Sequence, residues 1–201
     1  MLRKAATTLL LCGSVLAGGA DLGADAAPTD EPQTSVGPRL LEEVPAGWSP
    51  AVDVKDAPIP QSEIDRAFDK GPRGEESASA AQVGCTPDTY PDNPHLAKNG
   101  LDVSGHGTWG KGTCKADRAW VTTRLYEWYV SSSGRGAWVF KAEGRKKVGA
   151  VKSEGYARAN SRIRCKSKTR TSWMNMVDVD VVGVIDSSDR HHRKAVVSCR
   201  V

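Results

Sequence analysis

Residues 118–130 read RAWVTTRLYEWYV, thirteen positions with no glycine or proline. Ala119, Val121, Thr123 and Leu125 share one parity, and Trp120, Thr122, Arg124, Tyr126 and Trp128 share the other. Period two held over that length predicts a long strand and excludes an amphipathic helix. Working outward, Ser131 to Gly136 is a turn-rich break and Ala137 to Ala142 resumes the strand texture with Trp138 and Phe140. Lys146 to Lys152 is a further short candidate. Tyr156 to Lys166 alternates strictly, Val177, Val179 and Val181 alternate with Asp178 and Asp180, and Ala195, Val197, Cys199 and Val201 share a parity at the end. With one or two strands across Leu101 to Cys114, residues 84–201 hold seven or eight. Many short strands divided by turn residues predict an all-β fold, an antiparallel sandwich that is immunoglobulin-like in the loose sense.

The N-terminus has a different character. Arg3 and Lys4 precede an apolar run, Ala5 to Ala17, and Ala24-Asp25-Ala26 supplies a small-x-small cleavage pattern. Residues 1–26 therefore read as a secretory signal peptide, too short in its apolar part to act as a spanning helix. Its removal takes Cys12 with it and leaves four cysteines: Cys85, Cys114, Cys165 and Cys199. An even count in a secreted chain predicts two disulfides, and nearest-neighbour pairing is the connectivity expected. No C-x-x-C pair is present, which argues against a zinc site.

Residues 27–83 contain eight of the eleven prolines and read as an acidic, disordered arm with one short helix, Ser62 to Asp69, capped by Ser62. From residue 28 to 83 there are five basic and eleven acidic side chains, net −6; residues 84–201 carry 21 basic and 11 acidic, net +10. A chain of net charge +4 thus divides into an acidic arm and a basic domain, an asymmetry that points to interaction tails or polyanion partners. Leu40, Leu41, Val44 and Trp48 are apolar groups that a pure spacer does not need. They have two destinations, a protein partner or the protein's own domain. On the first, deleting residues 28–80 abolishes partner capture and leaves domain melting unchanged.

In the domain, Arg158, Arg162, Arg164, Lys166, Lys168 and Arg170 fall on one parity, interrupted only by Asn160. On one extended strand these cations would recur about every 6.6 Å, a spacing suited to a nucleic acid strand or an anionic wall polymer. Trp120, Tyr126 and Trp128 are candidate stacking platforms beside them. The plainer reading is a solvated face that prevents edge association, paired with Asp178 and Asp180. His106 lies among the glycines of Ser104 to Cys114, which are explained by a hairpin with glycine in its turn and bulge. Gly105, Gly107 and Gly110 fit a dinucleotide fingerprint only in spacing, because a strand follows where a helix is required. His191 and His192, with Asp186 and Asp189, read as a polar connection rather than metal ligands, and Glu127, Glu143 and Glu154 as isolated surface carboxylates. No catalytic signature, metal site or cofactor is expected.

Gly112, Thr113 and Cys114 leading into Ala119 to Leu125, with the run Ser161 to Cys165, resemble small secreted two-disulfide β-sandwich proteins of actinobacteria. In joining a flexible N-terminal segment to a small β domain, the layout is also similar to the adaptor subunits of umbrella toxin particles. The resemblance implies no enzyme activity and two partner-binding surfaces. The expectation is a secreted, non-enzymatic adaptor or recognition module, its arm docking a protein and its β domain presenting a second surface. The alternative is a small nuclease-like toxin or a polyanion- or cell-wall-binding protein with the acidic arm as a pro-segment. For a nuclease, His106 is the side chain whose loss should abolish cleavage.

Overall fold

The computed structural model describes residues 37–53, 55–69, 84–184 and 190–201, which lie within one compact unit, Ser35–Val201. The signal segment with its cleavage site, the stretch Ser77 to Ala81, and Asp186 and Asp189 lie outside the described residues. The chain forms β1 (Arg39–Leu41), β2 (Ser49–Pro50), helix α1 (Gln61–Asp69), β3 (Asp88–Pro91), β4 (His95–Leu96) and β5 (Asp102–Gly110). It continues through β6 (Arg118–Val130), β7 (Gly136–Gly149), β8 (Ala159–Arg164), β9 (Ser167–Val181) and β10 (His191–Arg200). The fold is an all-β sandwich of two packed sheets.

The larger sheet has the order β1-β7-β6-β9-β10, with β2 added to β6. Thirteen residues of β6 pair with β7 on one side, and nine pair with β9 on the other, both antiparallel. The smaller sheet is organised by β5. Its register places β3 and β4 end to end along one side, with β8 along the other. Facing side chains fill the interior. Ala119, Val121, Val177, Val179 and Trp109 form one cluster, and Leu125, Trp173, Val103, Val197 and Cys199 form another. The odd parity of 118–130 that opened the sequence reading is this inner face.

The even parity meets a third layer. Tyr126, Trp128, Trp138, Met174 and Met176 pack with Ile59, Ile64, Ala67 and Phe68, so α1 and the chain before it cover part of the larger sheet's outer face. Tyr126 and Trp128 are consequently buried under this layer and are not platforms beside the basic stripe. Main-chain bonds fasten it. β1 adds parallel to β7, and β2 adds to β6 where the pairing of β6 with β9 ends. Beyond β2, Ala51 donates to the carbonyl of Trp128 (3.0 Å) and accepts from the amide of Ser172 (3.0 Å). Glu63 of α1 accepts from the amide of Leu40 (3.1 Å), and Arg190 bonds both Asp65 (2.9 Å) and Asp178 (3.0 Å). Residues 37–69 thus make the strand additions expected of partner docking, but within their own chain. The helix begins one residue earlier than expected, with the Pro60 carbonyl accepting from Glu63 and Ile64, so Ser62 is inside it and not its cap.

Both disulfides have nearest-neighbour connectivity, Cys85–Cys114 and Cys165–Cys199. The second joins the corner after β8 to β10 and so ties one sheet to the other. Loop closure over sequence separations of 29 and 34 residues gives each bond about 3–4 kcal/mol in the chain-entropy picture. Two disulfides are compatible with an extracellular protein. Among the described residues no helix is long and apolar enough to cross a membrane.

Candidate functional site

The smaller sheet's outer face is where the chemistry collects. Directly opposed residues of antiparallel strands share a face, so the register writes the surface out row by row. Tyr90 lies opposite Thr108, His106 opposite Asn160, His95 opposite Ser104 and Ser104 opposite Arg162, and Asp102 opposite Arg164. Tyr90 is 47% exposed, and His95, Asn160 and Arg164 are exposed as well. Arg158, just before β8, reaches across to Asp92 (3.6 Å) with 54% of its side chain exposed.

Two imidazoles stand at the centre. The rings of His95 and His106 stack with centroids 5.1 Å apart. Both take their orientation from the corner between β3 and β4. The Nδ1 of His95 lies 2.9 Å from the Asn93 carbonyl oxygen, which can only accept, so Nδ1 carries the hydrogen. The Nδ1 of His106 lies 3.2 Å from Asp92 Oδ2, an ion-pair distance without the alignment of a full hydrogen bond. In both rings Nε2 is the nitrogen turned away from these acceptors. Burial, then the nearby Arg158 cation, holds His106 below the ordinary histidine value against the opposing pull of Asp92. It is neutral at pH 7.

The support beneath the pair comes from the other sheet. Asn175 of β9, fully buried, donates through Nδ2 to the carbonyls of His106 (2.8 Å) and Asp92 (3.0 Å). It reaches them because β5 has glycine at 105. A Cβ there would meet Asn175 at 2.6 Å, and one on Gly107 would meet Thr123 and Val177 at 2.8 Å. The expected explanation of these glycines, a hairpin turn and bulge, is therefore corrected. They face inward from a strand and let the sheets approach closely. Asn175→Ala should remove this donor from two half-buried carbonyls, of which His106's keeps the Asp92 amide, and cost roughly 1–3 kcal/mol. A urea melt unchanged in midpoint would mean that the amide is not needed.

The basic stripe keeps its parity but not its continuity. Arg158, Arg162, Arg164, Lys166, Lys168 and Arg170 are all exposed, yet the chain leaves one sheet at Cys165 and enters the other at Ser167. Only Arg158, Arg162 and Arg164 lie on this face. Arg162 donates through Nη2 (2.5 Å) and Nε (2.7 Å) to a single oxygen of Asp102, Oδ2, and Lys168 donates to the Gly100 carbonyl. Asp178 and Asp180 are not the partners of the stripe. They meet Arg190 and Arg145 on the opposite side of the larger sheet.

The chain matches no family model, no curated protein and no solved structure. The other expected site residues divide in two. Leu40 packs into the outer cluster with α1 and Leu41 is half-buried, whereas Val44 is 39% exposed and Trp48 half-buried. His191 and His192 lie inside β10, not in a polar connection, and no group of three or more metal-binding side chains occurs among the described residues. Glu127 is the clearest correction. Far from the surface, it is 0% exposed and accepts from the Tyr129 hydroxyl (2.9 Å). His95, Asp92, Tyr90 and Asn175 were not singled out from sequence. The one available signal was His95 in the sequence Pro91-Asp-Asn-Pro94-His95, a proline-bounded corner preceding a glycine-flanked histidine.

Proposed function

We propose that the protein is an exported recognition module that binds a phosphodiester-linked polymer on the outer face of its smaller sheet. The observation that carries this is the convergence of Arg158, Arg164, His95, His106 and exposed Tyr90 on one open face. Arginines supply charge-assisted donors to phosphate, and Tyr90 offers a ring for stacking. The two disulfides and the signal-like N-terminus support export. A role as adaptor adds a protein partner to this surface. Leu40 already serves the protein's own packing, so that partner would meet the arm at Glu42, Glu43 and Val44, which stay exposed.

The test is fluorescence anisotropy with a labelled single-stranded homopolymer and, in parallel, a glycerol-phosphate polymer. Affinity is expected to fall linearly with salt on logarithmic axes, and Arg158→Ala with Arg164→Ala to flatten the slope by about 2. Binding should also tighten on acidification, once pH falls below the ordinary histidine range and His106, held low by burial, acquires its charge. Affinity independent of salt, or unchanged in the double variant, counts against the reading.

A further inference from the structure

We propose that this face cleaves single-stranded RNA by transesterification, with His106 accepting the proton of the 2′-hydroxyl and His95 protonating the 5′ leaving oxygen. The inference rests on the phosphodiester-binding reading and gives it a substrate class. Its basis is the paired orientation of two imidazoles. The Nδ1 of His95 lies 2.9 Å from the Asn93 carbonyl oxygen and that of His106 3.2 Å from the Asp92 carboxylate, so Nε2 is the nitrogen that remains for a substrate on each of two rings whose centroids are 5.1 Å apart.

The two environments assign the roles. His106 is the more enclosed ring, at 18% side-chain exposure, with a carboxylate behind it to stabilise the imidazolium formed on proton uptake. His95 is the exposed ring, open to solvent. The guanidinium of Arg158, near Asp92 and open to solvent, is placed to offset the negative charge gathering on the equatorial oxygens. Asn175 and Asp92 are positioning residues: one clamps the backbone beneath the pair, and the other orients the ring of His106.

The step balances without a cofactor. The 2′-oxygen forms a bond to phosphorus as its proton passes to His106 Nε2. The P–O5′ bond breaks as His95 gives its Nε2 proton to O5′. The products are a 2′,3′-cyclic phosphate and a 5′-hydroxyl, and solvent exchange restores both imidazoles. DNA has no 2′-hydroxyl and should bind without being cut.

The experiment uses the intact secreted protein and a quenched fluorescent oligonucleotide carrying one ribonucleotide in a DNA context, with chelator present. Cleavage at the ribonucleotide is expected, with a cyclic phosphate by mass spectrometry and a bell-shaped pH profile. His106→Gln and His95→Ala should each lower the rate by about 10²-fold or more. The exposed His95 provides the test if His106→Gln proves unstable. Activity that persists in the double variant, or cleavage of the all-DNA control, would overturn the proposal. RNA bound with the expected salt dependence but left intact would overturn it and leave the binding reading standing. Absence of both binding and cleavage removes the two together.

Discussion

Deletion of residues 28–80 is expected to take much of the sandwich's stability with it. The outer face of the larger sheet presents Tyr126, Trp128, Trp138, Met174 and Met176, and their apolar cover is Ile59, Ile64, Ala67 and Phe68. Without that cover an aromatic and methionine surface meets water along β6, β7 and β9. Phe68 shows the scale. It is buried between two guanidiniums, Arg124 at 4.9 Å and Arg190 at 5.2 Å from the ring centroid. Phe68→Ala should cost about 3 kcal/mol from lost burial and the cavity left behind. The stacked cations add roughly 0.5–1 kcal/mol each. At this chain length about 3 kcal/mol lowers the melting temperature by roughly 10 °C. For the deletion, the expected signs are loss of cooperative melting and uptake of a hydrophobic dye. A truncated chain that melts within a few degrees of the intact one would show that the arm is an ornament on an independent domain.

Composition and packing place the limit of the sandwich differently, for a physical reason. Proline density and acidic charge describe how a segment behaves alone, where neither helix nor ladder can propagate. They do not register that three residues of β1 and two of β2 suffice when a preformed edge supplies the partner groups. β6 was legible because it has a distinct layer on each side, so both parities carry meaning. The disulfides were legible from count and order alone. Strands β3 and β4 were not, since each is short and the corner between them is set by Asp92 donating to His106 (3.0 Å), a contact no local pattern encodes. The basic stripe misled because its parity runs unbroken through Cys165, where the backbone changes sheets.

The largest charge effect is expected at the other end of the sandwich, from Lys141. Register passes from Leu125 opposite Ala142 to Tyr126 opposite Phe140, so Lys141 is the extra residue of a β-bulge. A regular ladder would set it opposite Tyr126, facing α1. The bulge instead brings its ammonium to the inner side, where it donates to the Tyr129 hydroxyl (3.0 Å) and stands 3.9 Å from Glu127. Tyr129 has one hydrogen, and the shorter contact gives it to Glu127 (2.9 Å) rather than to the Val201 carbonyl (3.4 Å). The result is a relay from Lys141 through Tyr129 to a carboxylate without solvent. Burial raises the carboxyl of Glu127 and the hydroxyl of Tyr129, and lowers the ammonium of Lys141, each toward its neutral form.

Lys141→Met should therefore cost about 3 kcal/mol at pH 7, because it strands a buried carboxylate with neutral hydroxyls and a backbone amide but no cation to hold it. The loss should shrink on acidification. A carboxyl whose folded-state pKa is raised favours folding below that value, and the advantage is lost as pH rises through it. The variant, having lost its cation, should recover stability between pH 7 and about 4.5 while the parent changes less. Glu127→Gln with Lys141→Met keeps the volume and an acceptor for Tyr129, and should return to within about 1 kcal/mol of the parent. Guanidinium melts of the parent, Lys141→Met, Glu127→Gln and the double variant at two pH values separate charge from packing. If the double variant is as weak as Lys141→Met, the lysine acts through its aliphatic stem over the Tyr129 ring, 4.5 Å from ammonium to centroid, and not through its charge.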